Sequence, residues 1–128
     1  MNDGYVLDSS AVLCVLANEE GTAAINHILP YAVMSAVNLA EVIAKLQERG
    51  ATDEIIEGSL ADLNISVIDF DKQQADKTGK LRLATRSRGL SLGDRACLAL
   101  AASRGAIAVT TDKAWKDLDG SIHIMLVR

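Results

Sequence analysis

The chain has 128 residues, enough for one domain whose core needs no disulfide or metal staple. Nearly half of the residues are apolar but only 3% are aromatic, so the core must be Ala, Leu, Ile and Val, and no base-stacking platform of the RNA-recognition-motif or OB type can be built. A formal net charge of −4 disfavours a general nucleic-acid coat protein, which would be basic. Cys14 and Cys97 sit inside apolar segments and read as small core hydrophobes of a reducing compartment. No signal peptide and no membrane-spanning run is legible, so a cytosolic protein is expected.

Regular punctuation divides the chain into alternating short and long elements, with no repeat, low-complexity stretch or linker. Residues 4–8, GYVLD, form a short β-rich run ending in Asp8. Residues 9–21 follow with a helical pattern stopped at Gly21, and a second helix runs to Pro30. AVMS, 32–35, predicts a strand, and the next fifteen residues predict a long helix ended by Gly50. Thr52 is a candidate N-cap for a helix with acidic residues in its first turn. ISVIDF, 65–70, predicts the third strand. Residues 71–88 predict one charged helix, in which Asp71 and Gln74 resemble a capping box. The apolar helix 91–104 stops at Gly105, AIAVTTD (106–112) predicts the fourth strand, KAWKDL (113–118) a short helix and IHIMLV (122–127) a closing strand.

Strands with buried composition alternating with helices predict an α/β fold, a mainly parallel sheet of about five strands covered by helices on both faces. Ligands of such sheets bind outside the carboxyl ends of the strands. Four carboxylates are expected at that edge: Asp8 at the end of the first strand, Asp112 at the end of the fourth, Glu41 on the second turn of the helix after strand two, and Asp94 at the head of the apolar helix. Each has an ordinary alternative. Asp8 could cap the helix beginning at Ser9, Asp112 could cap the helix beginning at Lys113, and Glu41 could pair with Lys45. The Ser91–Asp94 spacing fits a capping box.

The four together point further. Glu41 interrupts the apolar run NLAEVIA, where an unpartnered carboxylate is costly. Converging carboxylates repel, and a divalent cation removes the repulsion. All-oxygen donors select Mg²⁺ or Mn²⁺, one ion or two, over Zn²⁺. Asp94 is therefore expected to serve a metal in addition to starting its helix. Seven of the thirteen basic residues fall between Lys72 and Arg95, opposed there only by Asp76 and Asp94. They read either as a solvated helix face or as a phosphate-binding ridge. Mg²⁺ beside a basic ridge suggests phosphate-ester hydrolysis.

Three segments, VLDSSAVLCVLANEEG, SAVNLAEVIAKL and LSLGDRACLALAASRGAIAVTTDKAW, together resemble a PIN-domain ribonuclease, more narrowly a VapC-type toxin of a bacterial or archaeal toxin–antitoxin pair. The resemblance covers essentially the whole chain as a single domain, and implies a three-layer α/β/α fold. It matches Asp8, Glu41, Asp94 and Asp112 to the family's acidic metal site, and Ser10 and Thr110 to its supporting hydroxyls. Asn38, one turn before Glu41, is a further candidate at the site. The resemblance also implies Mg²⁺- or Mn²⁺-dependent RNA cleavage, a homodimer, a cognate antitoxin that blocks the groove, and a cytoplasmic location. Lys77, Lys80, Arg82, Arg86, Arg88 and Arg95 are the candidate RNA contacts.

Three rivals use similar parts. A receiver-type phosphorylation domain would need paired acids after strand one and a Lys after the last strand, and a haloacid-dehalogenase-like phosphatase would need Asp where Ser10 stands. A non-catalytic, RNA-binding module of the PIN fold would not need all four acids.

Overall fold

In a computed structural model that describes residues 4–118 and 122–128, five short strands form one sheet: β1 (Tyr5–Leu7), β2 (Ala32–Ser35), β3 (Ser66–Ile68), β4 (Ile107–Thr110) and β5 (Ile124–Leu126). All pairings are parallel and the order is β3-β2-β1-β4-β5. The order reverses between β1 and β4, so the crevice at their carboxyl ends is the switch point where such sheets hold ligands. In a receiver domain β1 would lie between β2 and β3. Here it lies between β2 and β4, which removes that rival.

Side chains alternate across the sheet and feed two cores. Leu7, Met34 and Val109 face α1 (Ser9–Leu16), α2 (Thr22–Ile28) and α3 (Ala36–Glu48), where Ala11, Val12, Ile25 and Val42 are buried. Val6 and Ala108 face the other layer, filled by α7 (Leu92–Arg104) and by the fully buried Trp115. Two further helices, α4 (Asp53–Leu63) and α5 (Lys72–Lys80), pack on α3 and α7 respectively. Helix α7 is apolar around most of its girth because sheet and α5 both cover it.

Three helices differ from the sequence pattern. The first stops at Leu16, because Asn18 takes a left-handed conformation (φ 53°) and a Schellman turn closes there. Asn18 N–H donates to the Val15 carbonyl and Glu19 N–H to that of Cys14. The segment expected as one helix over 71–88 breaks into α5, the single turn α6 (Arg82–Thr85) and a 3₁₀ turn (Arg86–Arg88). Gly79 is a poor helix former, and Arg82 and Arg86 repel each other four residues apart. Asp71 does cap α5 through Gln74 N–H, but the Gln74 amide donates to Ser103 Oγ, so the capping box is half formed. The helix expected at 113–118 is a 3₁₀ turn, Lys113–Trp115. Gly50 and Thr52 end α3 and cap α4 as their positions predict.

Gly21 has a positive φ of 106°, and a Cβ there would stand 2.5 Å from the Val127 carbonyl oxygen. Gly21→Ala is expected to destabilise the fold by ~1–3 kcal/mol, read as a lowered melting temperature.

Candidate metal centre

Asp8 follows β1 directly and is 2% exposed. Its Oδ1 accepts from Ser10 Oγ (2.7 Å) and Ala11 N–H (2.8 Å), its Oδ2 from Thr110 Oγ1 (2.6 Å). Thr110, fully buried at the end of β4, also accepts from Asp112 N–H (3.0 Å), and Ser10 Oγ accepts from Thr111 N–H (3.0 Å). The two hydroxyls thus stitch the β1 and β4 ends together around one carboxylate. Burial pushes Asp8 up to about 6 against the pull of these hydrogen bonds, and the negative charge of Asp94 pushes the same way.

Asp94 is half-buried in the first turn of α7. Its Oδ2 accepts from Ser91 N–H (2.9 Å) while its own N–H donates to Ser91 Oγ (3.1 Å), a complete capping box. Burial raises its carboxyl above the usual range, and the charges of Asp112 and Glu41 add to the rise. Asp94 is therefore a cap and a member of an acidic cluster at once. Asp112 lies two residues past β4 rather than at its last position, and its Oδ1 caps the 3₁₀ turn through Ala114 N–H (2.9 Å). Three of the four acids thus stand at amino ends of helical turns, whose exposed N–H groups offset part of their mutual repulsion.

Glu41 behaves differently. The expected pair with Lys45 does not form; Lys45 pairs with Glu48 (3.3 Å). The Glu41 Oε1 accepts from the Asn38 amide (3.0 Å), and the carboxylate lies against Gly93. Asn38 is fully buried and also donates to the Gly93 carbonyl (3.1 Å). Gly93 is the site residue that sequence reading missed; its only signal was a glycine in the first turn of a helix, directly before an acid. Beneath the cluster, burial and the charges of Asp8, Asp94 and Glu41 push the Cys97 thiol well above its ordinary value, which makes it inert.

Among the described residues, no Lys or Arg forms an ion pair with any of the four acids, and no three His, Cys, Asp or Glu close around one point as an ion cage. Mg²⁺ keeps several waters and needs only one or two protein carboxylates, so a closed cage is not required to bind it, and the four acids would be the source of those carboxylates. Asp8, Glu41, Asp94 and Asp112 are the residues that would hold it. The candidate RNA contacts divide. Arg95 donates to the Thr78 carbonyl (3.1 Å) and Arg88 to those of Lys116 and Asp117 (2.8 and 3.0 Å), so both arginines tie their own chain together. Lys80 pairs with Asp76 (3.0 Å). Lys77, Arg82 and Arg86 are exposed.

Residues 5–121 match the family described as PIN domain. The chain belongs to the PIN-domain family. Solved structures of similar fold include a DNA-bound VapBC from Salmonella typhimurium (23% identity, 100% of each chain, TM-score 0.73). A toxin–antitoxin complex from Klebsiella pneumoniae matches over 98% of each chain at 16% identity (TM-score 0.75). VapBC-5 from Mycobacterium tuberculosis matches over 98% of each chain at 23% identity (TM-score 0.60). No curated protein sequence matches the chain. These likenesses show the PIN fold, here a five-stranded, all-parallel sheet between helical layers. No helix among the described residues is long and apolar enough to cross a membrane.

Proposed function

We propose that this PIN domain is a Mg²⁺- or Mn²⁺-dependent ribonuclease, the toxin of a toxin–antitoxin pair. The observation that carries the proposal is the gathering of Asp8, Glu41, Asp94 and Asp112 about the β1/β4 switch point with no basic side chain paired to them among the described residues. When bound, one or two divalent ions would orient a water and stabilise charge on the phosphate oxygens. The chain's own part is positional. Ser10, Ala11 and Thr110 hold both oxygens of Asp8 in one orientation, Ser91 holds Asp94, and Ala114 N–H holds Asp112. The hydrolysis adds water to phosphorus and breaks the bond to one ribose oxygen. Exposed Lys77, Arg82 and Arg86 supply the cationic flank for the RNA backbone.

Apolar surface between α3, α4 and β3, lined by Leu39, Ile43, Leu60 and Val67, suits a protein partner. The toxin–antitoxin complexes of similar fold support an antitoxin as that partner. A homodimer and a cytoplasmic setting complete the reading, by resemblance to VapC-type members of the family.

The test is cleavage of an RNA pool and a DNA pool by the purified protein with Mg²⁺, Mn²⁺ or excess EDTA. RNA cleavage that requires the ion is expected. Cleavage unaffected by EDTA, or a protein that neither cleaves RNA nor binds Mn²⁺, would overturn the proposal in favour of a non-catalytic module.

A further inference from the structure

Glycine is a poor helix former, yet α7 carries Gly93 in its first turn with ordinary helical torsions. Left-handed backbone therefore does not explain it. Two other helical glycines, Gly58 and Gly79, have nothing within 4 Å of the place a Cβ would occupy. At Gly93 a Cβ would overlap both carboxylate oxygens and the carboxylate carbon of Glu41. The missing side chain is filled by a charged group from another helix.

Asn38 fixes that group from the other side. It is fully buried, one turn before Glu41 on α3, and its single amide nitrogen bridges Glu41 Oε1 and the Gly93 carbonyl. Its Oδ1 is buried and has no hydrogen-bond partner among the described residues. The orientation of the amide is therefore set by the nitrogen alone: flipping it would press an acceptor against two acceptors.

We infer that Asn38 and Gly93 form a positioning device that seats the Glu41 carboxylate on the backbone of α7, so that Glu41 and Asp94 reach the metal as one unit. The inference rests on the metal-site reading above. Neither residue touches substrate; both act through Glu41. Asn38 ties the α3 carboxylate to the residue next to Asp94, and Gly93 supplies the space. Glu41 Oε1 is engaged by the amide, so Oε2 would be the oxygen left for a cation.

The measurement is Mn²⁺ affinity, by calorimetry and by the electron paramagnetic resonance signal of free ion, on wild type, Asn38→Ala and Gly93→Ala, each with a thermal melt in EDTA. Loss of outer partners of metal ligands weakens binding about 10–100-fold, and a loss of at least ~10-fold is expected in both variants. A cycle on the metal-free protein tests the packing separately. Gly93→Ala is expected to be less favourable to the melting temperature in the wild-type background, where the Glu41 carboxylate must swing aside, than in a Glu41→Ala background, where the overlap is gone. This holds even if Gly93→Ala alone does not fold, since the double variant then should. Folded variants that bind Mn²⁺ within twofold of wild type, or a Gly93→Ala penalty equal in both backgrounds, would overturn the inference and leave the metal site standing. A wild type that binds no Mn²⁺ would remove the metal site itself, and this inference with it.

Discussion

Asp8→Asn is expected to melt at a higher temperature than the parent protein at pH 7.5 without divalent cation, while cleaving RNA more than ~100-fold more slowly. The direction follows from burial. Asp8 rises from 3.8 to about 6 on folding, so the native state holds its proton more tightly than the unfolded chain. Stability is full below 3.8, falls as pH rises through the interval, and above 6 stays lower by ~3 kcal/mol. Asn carries no charge to desolvate and keeps an acceptor for Ala11 N–H, although one carbonyl oxygen replaces two carboxylate oxygens and offsets part of the gain. A net rise of ~5 °C at neutral pH is the reading, vanishing near pH 3. Saturating Mg²⁺ should raise the melting temperature of wild type and not that of the variant, because only a ligand bound to the native state shifts its stability. A variant that melts lower than wild type at every pH would show that the hydrogen bonds to Ser10 and Thr110, rather than desolvation, govern this carboxylate.

The second large effect separates the two duties of Asp94. Asn keeps a carbonyl oxygen to accept from Ser91 N–H and sheds a charge that burial and its acidic neighbours disfavour, so Asp94→Asn is expected to fold at least as stably as wild type at neutral pH and to lose more than ~100-fold in metal-dependent cleavage. Ser91→Ala does the reverse. It removes the Oγ that accepts from Asp94 N–H but keeps the Ser91 N–H that holds Asp94 Oδ2. It should cost ~1 kcal/mol of stability and leave cleavage within about threefold. Paired denaturant melts and cleavage rates on the two variants make the comparison. Equal activity of Asp94→Asn and wild type would reduce Asp94 to its role in the capping box.

Much of this was legible before any coordinates, because acids at strand ends and helix starts obey local rules. Asp8, Asp94 and Asp112 each cap a helical turn as their neighbours predict, and the alternation of elements implied a parallel sheet. What local rules could not supply was long-range. The neighbours of β1 in the sheet carry no signature in periodicity. Lys45 can reach Glu41 or Glu48 equally well in sequence, and in the fold it pairs with Glu48 while Glu41 takes the Asn38 amide. Arg88 and Arg95 looked like free cations beside Arg82 and Arg86, and only tertiary packing reveals the carbonyls that occupy them. The helix expected over 71–88 breaks where Gly79 and the like charges of Arg82 and Arg86 weaken it, a local signal in the sequence that the expectation of one helix did not use.

The hydrogen bond from Thr110 to Asp8 spans 102 positions. A ribosome making this protein emits Asp8 more than a hundred residues before Asp112. Until β4 has emerged and slid in beside β1, the early carboxylate has no hydroxyl clamp and the late one does not exist. Any fragment ended before that point, by premature termination or by a protease, lacks the centre entirely. The topology of the sheet thus keeps half-made copies from assembling the acidic cluster at all.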